Sequence, residues 1–141
     1  MIRKLNKTEV DLLKDDPVRP HITYEQRTRD GCSINVLESD NKVKAVICTC
    51  LCNNVPTTEK EMFETYYDPQ GDVLVAYTVW SYSKGAGREI INELRSNAQL
   101  ENIRRAVTLS PLTEMAEHFH LRNGASLLGK YDTCQNFEYT V

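Results

Sequence analysis

The residues best suited to chemistry lie at positions 73–94, which read VLVAYTVWSYSKGAGREIINEL. The stretch begins as an apolar run with β-branched and aromatic residues, which is typical of a strand. Apolar residues then recur at helical spacing from Ile90 onward, so a helix is predicted from about Gly87. Gly85 and Gly87 would let backbone N–H groups approach a ligand, and the helix dipole would add partial positive charge. This pattern predicts an anion-binding turn; a plain strand-to-helix turn is the alternative.

The five cysteines form a second group of reactive side chains. Cys48, Cys50 and Cys52 alternate, so on a strand they would share one face, and three thiolates can bind a soft metal. They lack the two-residue spacer of a zinc knuckle, and no histidine lies close by, so the pattern favours packing over a metal site. An odd count without an export signal indicates reduced thiols. Cys32 and Cys134 carry no motif and are also expected to be structural.

Length and composition limit the classes of protein that the chain can belong to. The chain has 141 residues, enough for one domain with a substantial core, and 40% hydrophobic and 26% charged residues are a soluble globular balance. A net charge of −3 argues against a broad nucleic-acid surface. No apolar run is long enough to span a membrane, and the first residues lack the apolar core of a signal peptide. We therefore expect a cytoplasmic protein without nucleic-acid or membrane partners.

The rest of the chain predicts the elements around this turn. Strand patterns occur at residues 1–6, 32–38, 42–52, 73–81, 105–109, 126–131 and 137–140. Helix patterns occur at residues 8–16, 22–30, from about 87 onward, and 111–121. Thr8 and Ser110 are the predicted N-caps of the first and last helices, and Pro111 takes the first helical position of the last one.

Residues 53–71 interrupt this order as an insert, in which Thr58 is expected to cap a short helix. Most successive strands are close enough for hairpins, and only the two later crossovers through helices suggest parallel pairing. The order predicts one α/β (α+β) domain over residues 1–141, with a mixed, mostly antiparallel sheet of about six to seven strands and helices on both faces.

Two motifs in this order resemble those of the GNAT superfamily, the acyl-CoA-dependent N-acyltransferases. Residues 82–87, YSKGAG, keep the glycines of the family's loop Gln/Arg-x-x-Gly-x-Gly/Ala and depart at Tyr82. Residues 113–125, TEMAEHFHLRNGA, are similar to the later motif Asn-x-x-Ala-x-x-Leu-Tyr-x-x-x-Gly-Phe and depart at Thr113, His120 and Ala125. The element order matches the family across nearly the whole chain, apart from the insert.

The resemblance implies acetyl-CoA as co-substrate and a role for each part of both motifs. The backbone of residues 79–82 would pair with the pantetheine arm, and N–H groups of residues 83–88 would hold the pyrophosphate. An N–H near Val79 or Trp80 would stabilise the oxyanion. His120 stands where the family usually has the tyrosine that protonates the leaving thiolate, and a histidine can donate a proton near neutral pH. The implied cofactor-binding residues are Val79, Trp80, Ser81, Tyr82, Ser83, Lys84, Gly85, Ala86, Gly87, Arg88, Thr113 and Ala116.

The resemblance also implies an acceptor, a primary amine on a small molecule, protein or peptide, that would bind near residues 15–24 and 132–136. A homodimer is also compatible with the resemblance. The mechanism that goes with this resemblance is direct attack in a ternary complex without a covalent acyl-enzyme, and the lack of a nucleophile motif around any cysteine is consistent with it. The carboxylates that could serve as general base are Glu38, Glu59, Glu64, Asp68 and Asp72.

Two other classes of function are alternatives to acyl transfer. A GNAT-like module without chemistry, serving as a CoA sensor or a protein-interaction domain, would account for the departures at Tyr82, Thr113 and His120. A nucleotide-binding protein is disfavoured, because the turn lacks the Gly-Lys-Ser/Thr ending of a phosphate-binding loop and the third glycine of a dinucleotide fingerprint.

Overall fold

The computed structural model of the protein describes residues 1–141. Its centre is a sheet of eight strands, seven of which follow the order β1-β2-β3-β4-β5-β8-β6. The eighth strand, β7, also pairs with β8. Only β4 and β5 run parallel; the other pairs are antiparallel. The mixed, mostly antiparallel sheet is confirmed, with one strand more than predicted. The strands are β1 Ile2–Lys4, β2 Cys32–Ser39, β3 Lys42–Cys52, β4 Val73–Ser81, β5 Arg105–Thr108, β6 Ser110–Pro111, β7 Ser126–Lys130 and β8 Cys134–Tyr139.

Helices cover both faces of this sheet, as predicted. One core lies under a 3-10 helix, the helix α1 and a π-helical turn, and the other lies under the long helix α2. No helix is long and apolar enough to cross a membrane. The helical elements are the 3-10 helix Lys7–Asp15, α1 Tyr24–Thr28, the π-helical turn Glu61–Thr65, α2 Ala86–Leu100 and α3 Glu114–Arg122.

Two of the predicted helix starts are wrong. The 3-10 helix begins at Lys7, after Asn6, whose N–H donates to the Glu9 carboxylate at 2.8 Å, so Thr8 is not the cap. Ser110–Pro111 forms the short strand β6 against β8 and does not open a helix. The cap of α3 is Thr113, whose hydroxyl accepts the Ala116 N–H at 3.2 Å.

The hairpin of β2 and β3 corrects the expectation that all five thiols are reduced. Its two-residue turn would place Cys32 opposite Thr49, but a one-residue bulge between Leu37 and Glu38 shifts the register. Cys32 then lies opposite Cys50, and the two form a disulfide.

The other three cysteines are free and buried. Cys48 and Cys52 share the inner face of β3 with Cys50, and burial raises the pKa of Cys48 to about 11 and that of Cys52 to about 12. These thiols therefore stay protonated at neutral pH, which suits packing rather than metal binding. No group of three or more His, Cys, Asp or Glu side chains lies close enough to hold a metal ion.

The insert at residues 53–71 is an ordered part of the core. Met62 and Phe63 of its π-helical turn are buried against the sheet. The N–H of Asn53 donates to the carbonyl of Tyr66 at 3.0 Å, which closes the base of the segment. The buried side chain of Asn136 on β8 donates to the Pro56 carbonyl at 2.9 Å, so the segment is tied to the far half of the sheet.

Candidate functional site

The site begins where the two parallel strands separate. The register of β4 with β5 runs from Val73 opposite Arg105 to Ala76 opposite Thr108, and the last bond is Leu109 N–H to Ala76 O at 2.9 Å. β4 continues to Ser81, whereas the chain after β5 turns away into β6 and pairs with β8. The upper half of β4 therefore has one edge without a strand neighbour.

A bulge in β4 sets which backbone groups face that open edge. The register with β3 changes between Cys48 and Thr49, so that Tyr77 is an extra residue on β4. Beyond it, Tyr82 donates its N–H to Lys44 O on β3 at 2.7 Å. Because backbone groups alternate in direction along a strand, Val79 and Ser81 point their N–H and C=O groups to the open edge, and Trp80 points to β3.

The glycine turn follows β4 as predicted and leads into α2. Gly85 has a φ of +82°, which is left-handed and favours glycine, and a Cβ there would meet nothing within 4 Å. No protein acceptor contacts the N–H groups of Gly85, Gly87 and Arg88, whereas the Ala86 N–H is bonded to Ser83 O at 3.2 Å. Free N–H groups at the start of a 15-residue helix form a cradle for an anion.

Gly87 brings α2 close to α3. A Cβ at this position would lie 3.1 Å from Cε1 of Phe119, so the absence of a side chain lets the aromatic ring pack on the first turn of α2. Ala86 and Gly87 are buried, whereas Lys84 and Arg88 are exposed. The turn thus has a packed inner side and an open outer side with two cationic side chains.

The side chain of Tyr82 is directed away from this cradle. Its hydroxyl donates to the Asp15 carboxylate at 2.8 Å and accepts the Trp80 indole N–H at 2.9 Å. Burial, together with the bond to Asp15, raises the pKa of Tyr82 although Trp80 opposes this. The residue that departs from the family's loop motif therefore ties the end of β4 to the 3-10 helix.

A cleft of about 460 Å³ extends from the open edge of β4 to α3. Most of its lining is apolar, and no carboxylate lines it. Of the predicted site residues, the structure brings Val79, Thr113, Ala116 and His120 together here. The lining residues are Pro17, Val18, Ile47, Ala76, Tyr77, Thr78, Val79, Ile91, Ser110, Pro111, Thr113, Met115, Ala116, Phe119 and His120.

His120 differs from the proton donor that the sequence predicts. It is buried, and its Nδ1 lies 2.8 Å from the Tyr139 hydroxyl oxygen. Burial lowers the pKa of His120 to about 4, so its imidazole is neutral at pH 7. The expectation of a histidine that is readily protonated near neutral pH is therefore not met, although His120 lines the cleft.

A buried polar cluster beside the cleft was missed at the level of sequence. Asp16 accepts N–H groups of Val18 and Arg19, the Arg27 guanidinium and the Thr78 hydroxyl, each at 2.9 Å. Burial disfavours the charged carboxylate, but these donors outweigh it and lower the pKa of Asp16. The cluster fixes residues 16–19 against β4, and the only hint in the sequence is the proline-rich segment around them.

The two segments predicted to receive the acceptor meet at one place. A second cavity of about 390 Å³, which we call the polar cavity, adjoins the cleft. It shares Val18 and Pro111 with the cleft. Its other lining residues are Arg19, Glu59, Thr133 and Cys134. Residues 15–24 and 132–136 therefore both contribute to its wall.

Of the five candidate general bases, the structure places one at the site and four elsewhere. Glu38 bonds Arg3 at 3.2 Å and Asp72 bonds Arg104 at 3.0 Å. Neither these two nor Glu64 and Asp68 line the cleft or the polar cavity; Glu59 lines the polar cavity.

No protein-family model matches the chain, and no curated protein matches it in sequence. Solved structures do match in shape. A probable acetyltransferase from Staphylococcus epidermidis superposes with a TM-score of 0.70 at 15% identity, over 99% of this chain and 97% of the other. The ribosomal-protein-alanine N-acetyltransferase from Brucella melitensis gives 0.63 at 14% identity, over 100% and 99%.

A structure described as the GphF GNAT-like decarboxylase in complex with isobutyryl-CoA gives a TM-score of 0.76 at 14% identity, over 99% of this chain and 98% of the other. The structures that share this shape therefore include acetyltransferases and a decarboxylase, at low identity throughout. Together with the separated β4 and β5 and the glycine turn before α2, the likeness establishes that the chain has the fold of the GNAT superfamily.

Proposed function

We propose that the protein binds acyl-CoA in the cleft and transfers the acyl group, acetyl in the simplest case, to a primary amine. One observation is the main support for the proposal. The open edge of β4 at Val79 leads through Ser81 and the glycine turn to the free N–H groups at the start of α2. A ligand with an amide-containing arm and a pyrophosphate requires such a pair of sites.

The residues of this chain have separate tasks in binding the ligand. The Val79 and Ser81 backbone groups would pair with the pantetheine amides, and the N–H groups of Gly87 and Arg88 would hold the pyrophosphate. The side chains of Lys84 and Arg88 are exposed and available to it. Thr113 and Ala116 would form the wall from α3.

The bound acyl-CoA supplies the reactive thioester. The amine nitrogen attacks the thioester carbon, the C–S bond breaks, the amine loses one proton and the CoA sulfur gains one. The Val79 N–H, which points to the open edge, is the donor we assign to the carbonyl oxygen as negative charge develops there. Trp80 is not assigned this role, because its N–H is directed to β3.

His120 would contribute to this step as a neutral ring. When the Tyr139 hydroxyl donates to Nδ1, the ring proton resides on Nε2, and the imidazole offers one N–H without carrying charge. A neutral imidazole can stabilise a developing anion by hydrogen bonding. We therefore assign to His120 the donation of a hydrogen bond to the leaving sulfur.

Decarboxylation of a malonyl-type thioester is a second candidate, favoured by a cleft without a carboxylate that could act as base and by the likeness to the GphF structure. In that reaction a C–C bond breaks, CO₂ leaves, and the enolate oxygen would be held by the Val79 N–H before a proton returns to carbon. The same donor would serve both reactions.

Mass spectrometry of the products tests both candidates. The purified protein is incubated with acetyl-CoA and a panel of primary amines, and separately with malonyl-CoA. Acylated amine and free CoA support the transferase. Conversion of malonyl-CoA to acetyl-CoA supports the decarboxylase instead, and CoA binding without either product supports the non-catalytic module.

A further inference from the structure

The polar cavity differs from the cleft in its charged groups. The cleft is lined by no charged side chain, whereas Arg19 and Glu59 line the polar cavity. Glu59 is therefore the one carboxylate on the wall of either space. The two spaces share Val18 and Pro111, so a ligand in the polar cavity would lie next to the cleft.

Contacts on both sides hold Glu59 in place. Its Oε1 accepts from Nε of Arg19 at 2.9 Å, and its Oε2 lies 3.0 Å from Nε2 of His21. The Arg19 side chain is only 4% exposed, and its Nη1 also donates to the Tyr77 carbonyl on β4. The Arg19 guanidinium therefore links the Glu59 carboxylate to β4, the strand that contains Val79.

The insert supplies this carboxylate. Glu59 follows Thr58, whose hydroxyl accepts the Glu61 N–H at 3.0 Å, and buried Met62 and Phe63 anchor the same turn in the core. The backbone that carries Glu59 is thus fixed to the core, although the carboxylate itself is 36% exposed. The Glu59 side chain is therefore partly open to solvent in addition to its contacts with Arg19 and His21.

We propose that the polar cavity binds a cationic amine and that Glu59 receives its ammonium group, which gives the insert a role in acceptor selection. The proposal rests on the transferase function proposed above. Arg19 and Glu59 line the cavity, the buried Asp16–Arg27 pair lies next to Arg19, and the formal charges of these four groups cancel. Without the Glu59 charge, the group has one excess positive charge and repels an ammonium ion.

Glu59→Gln is the decisive variant, because glutamine is similar in size and its side-chain oxygen can still accept from Arg19. Glu64→Gln is the matched control, since Glu64 lies in the same insert, is exposed and lines neither space. Benzylamine and butane-1,4-diamine serve as cationic probes, and aniline, which is uncharged at pH 7, serves as the neutral one. Binding is measured by calorimetry on protein saturated with desulfo-CoA, and the acceptor KM is measured with acetyl-CoA.

We expect Glu59→Gln to weaken binding of the cationic amines about 10- to 100-fold, as for loss of a charged hydrogen bond, with aniline and the acetyl-CoA KM unchanged. Glu64→Gln should bind like the wild type. Equal binding by wild type and Glu59→Gln, or no binding of either cationic probe to the wild type, overturns the proposal. Amine binding that requires Glu59 but leads to no acyl transfer supports this site and contradicts the proposed function.

Discussion

The Nδ1 atom of His120 lies 2.8 Å from the hydroxyl oxygen of Tyr139, and both side chains are buried. The rings of Phe119 and Phe137 also pack on the imidazole, with centroids 5.1 and 5.2 Å away. These neighbours offer no negative charge to an imidazolium, so the ring is held neutral. Any part that His120 plays in the cleft is therefore that of a neutral hydrogen-bonding group.

This relationship predicts a loss of stability in acid. The pKa of His120 is about 4 in the folded chain, below its unfolded value of about 6.5. The contribution of the neutral ring to the free energy of unfolding is therefore fully present above pH 6.5 and is lost as the pH falls toward 4. Between pH 7 and pH 4 we expect the free energy of unfolding, measured in urea, to fall by about 3 kcal/mol more for the wild type than for His120→Asn. Equal losses in both proteins would show that the imidazole titrates normally.

The buried pair of Asp16 and Arg27 predicts a large effect of one substitution. Asp16→Asn leaves the Arg27 guanidinium, which is 0% exposed, without its ion-pair partner. We expect a loss of about 3 kcal/mol in the free energy of unfolding. Asp72→Asn is the control, because the Asp72–Arg104 pair is more than half exposed and its loss should change the free energy of unfolding far less. Similar costs for the two variants would contradict this description of the cluster.

The direction of the Val79 N–H predicts a kinetic effect. Val79→Pro removes this donor but no hydrogen bond to β3, since the group faces the open edge where proline is tolerated. We expect a fall in kcat of about 10²- to 10³-fold with the acetyl-CoA KM little changed, because the developing oxyanion loses its donor. Val79→Ala keeps the N–H and should retain the rate, and thermal melting checks that the proline variant folds. A proline variant with the wild-type kcat would exclude Val79 as the oxyanion donor.

The order of the elements was predictable because each has a strong local signal. Alternating and helical periodicity located β2, β3, β4 and α2 within a few residues, and Gly124, with a φ of +96°, ends α3 where the sequence predicts. Local signals failed where distant pairing decided the structure. At Ser110–Pro111, the backbone pairs with β8, and the Gln135 side chain donates to the Pro111 carbonyl at 2.9 Å, which overrides a good helix-start motif.

The site was predictable only in part, for the same reason. The glycine turn is a local feature, and so it was found. The contacts between Asp16 and Thr78 and between Arg19 and Glu59 join residues far apart in the chain, and no spacing rule reveals them. The pKa of His120 depends on burial against β8, and the Cys32–Cys50 disulfide depends on a one-residue bulge, so neither follows from residue type.

The turn before α2 is proposed to bind the phosphates of CoA, and a pair of glycine variants tests this assignment. Gly85 and Gly124 are both exposed and left-handed, and a Cβ at either meets nothing within 4 Å, so Gly85→Asp and Gly124→Asp carry the same backbone strain. Only Gly85→Asp places a negative charge at the free N–H groups of α2. The measurement is a calorimetric titration of the wild type and both variants with CoA, with desulfo-CoA as a control for the thiol.

We predict that the wild type and Gly124→Asp bind CoA and desulfo-CoA alike, and that Gly85→Asp binds at least about tenfold more weakly, because its carboxylate repels the pyrophosphate. Equal affinity of the three proteins for CoA, or no binding to the wild type at millimolar ligand, would show that the turn before α2 does not hold the phosphates of CoA.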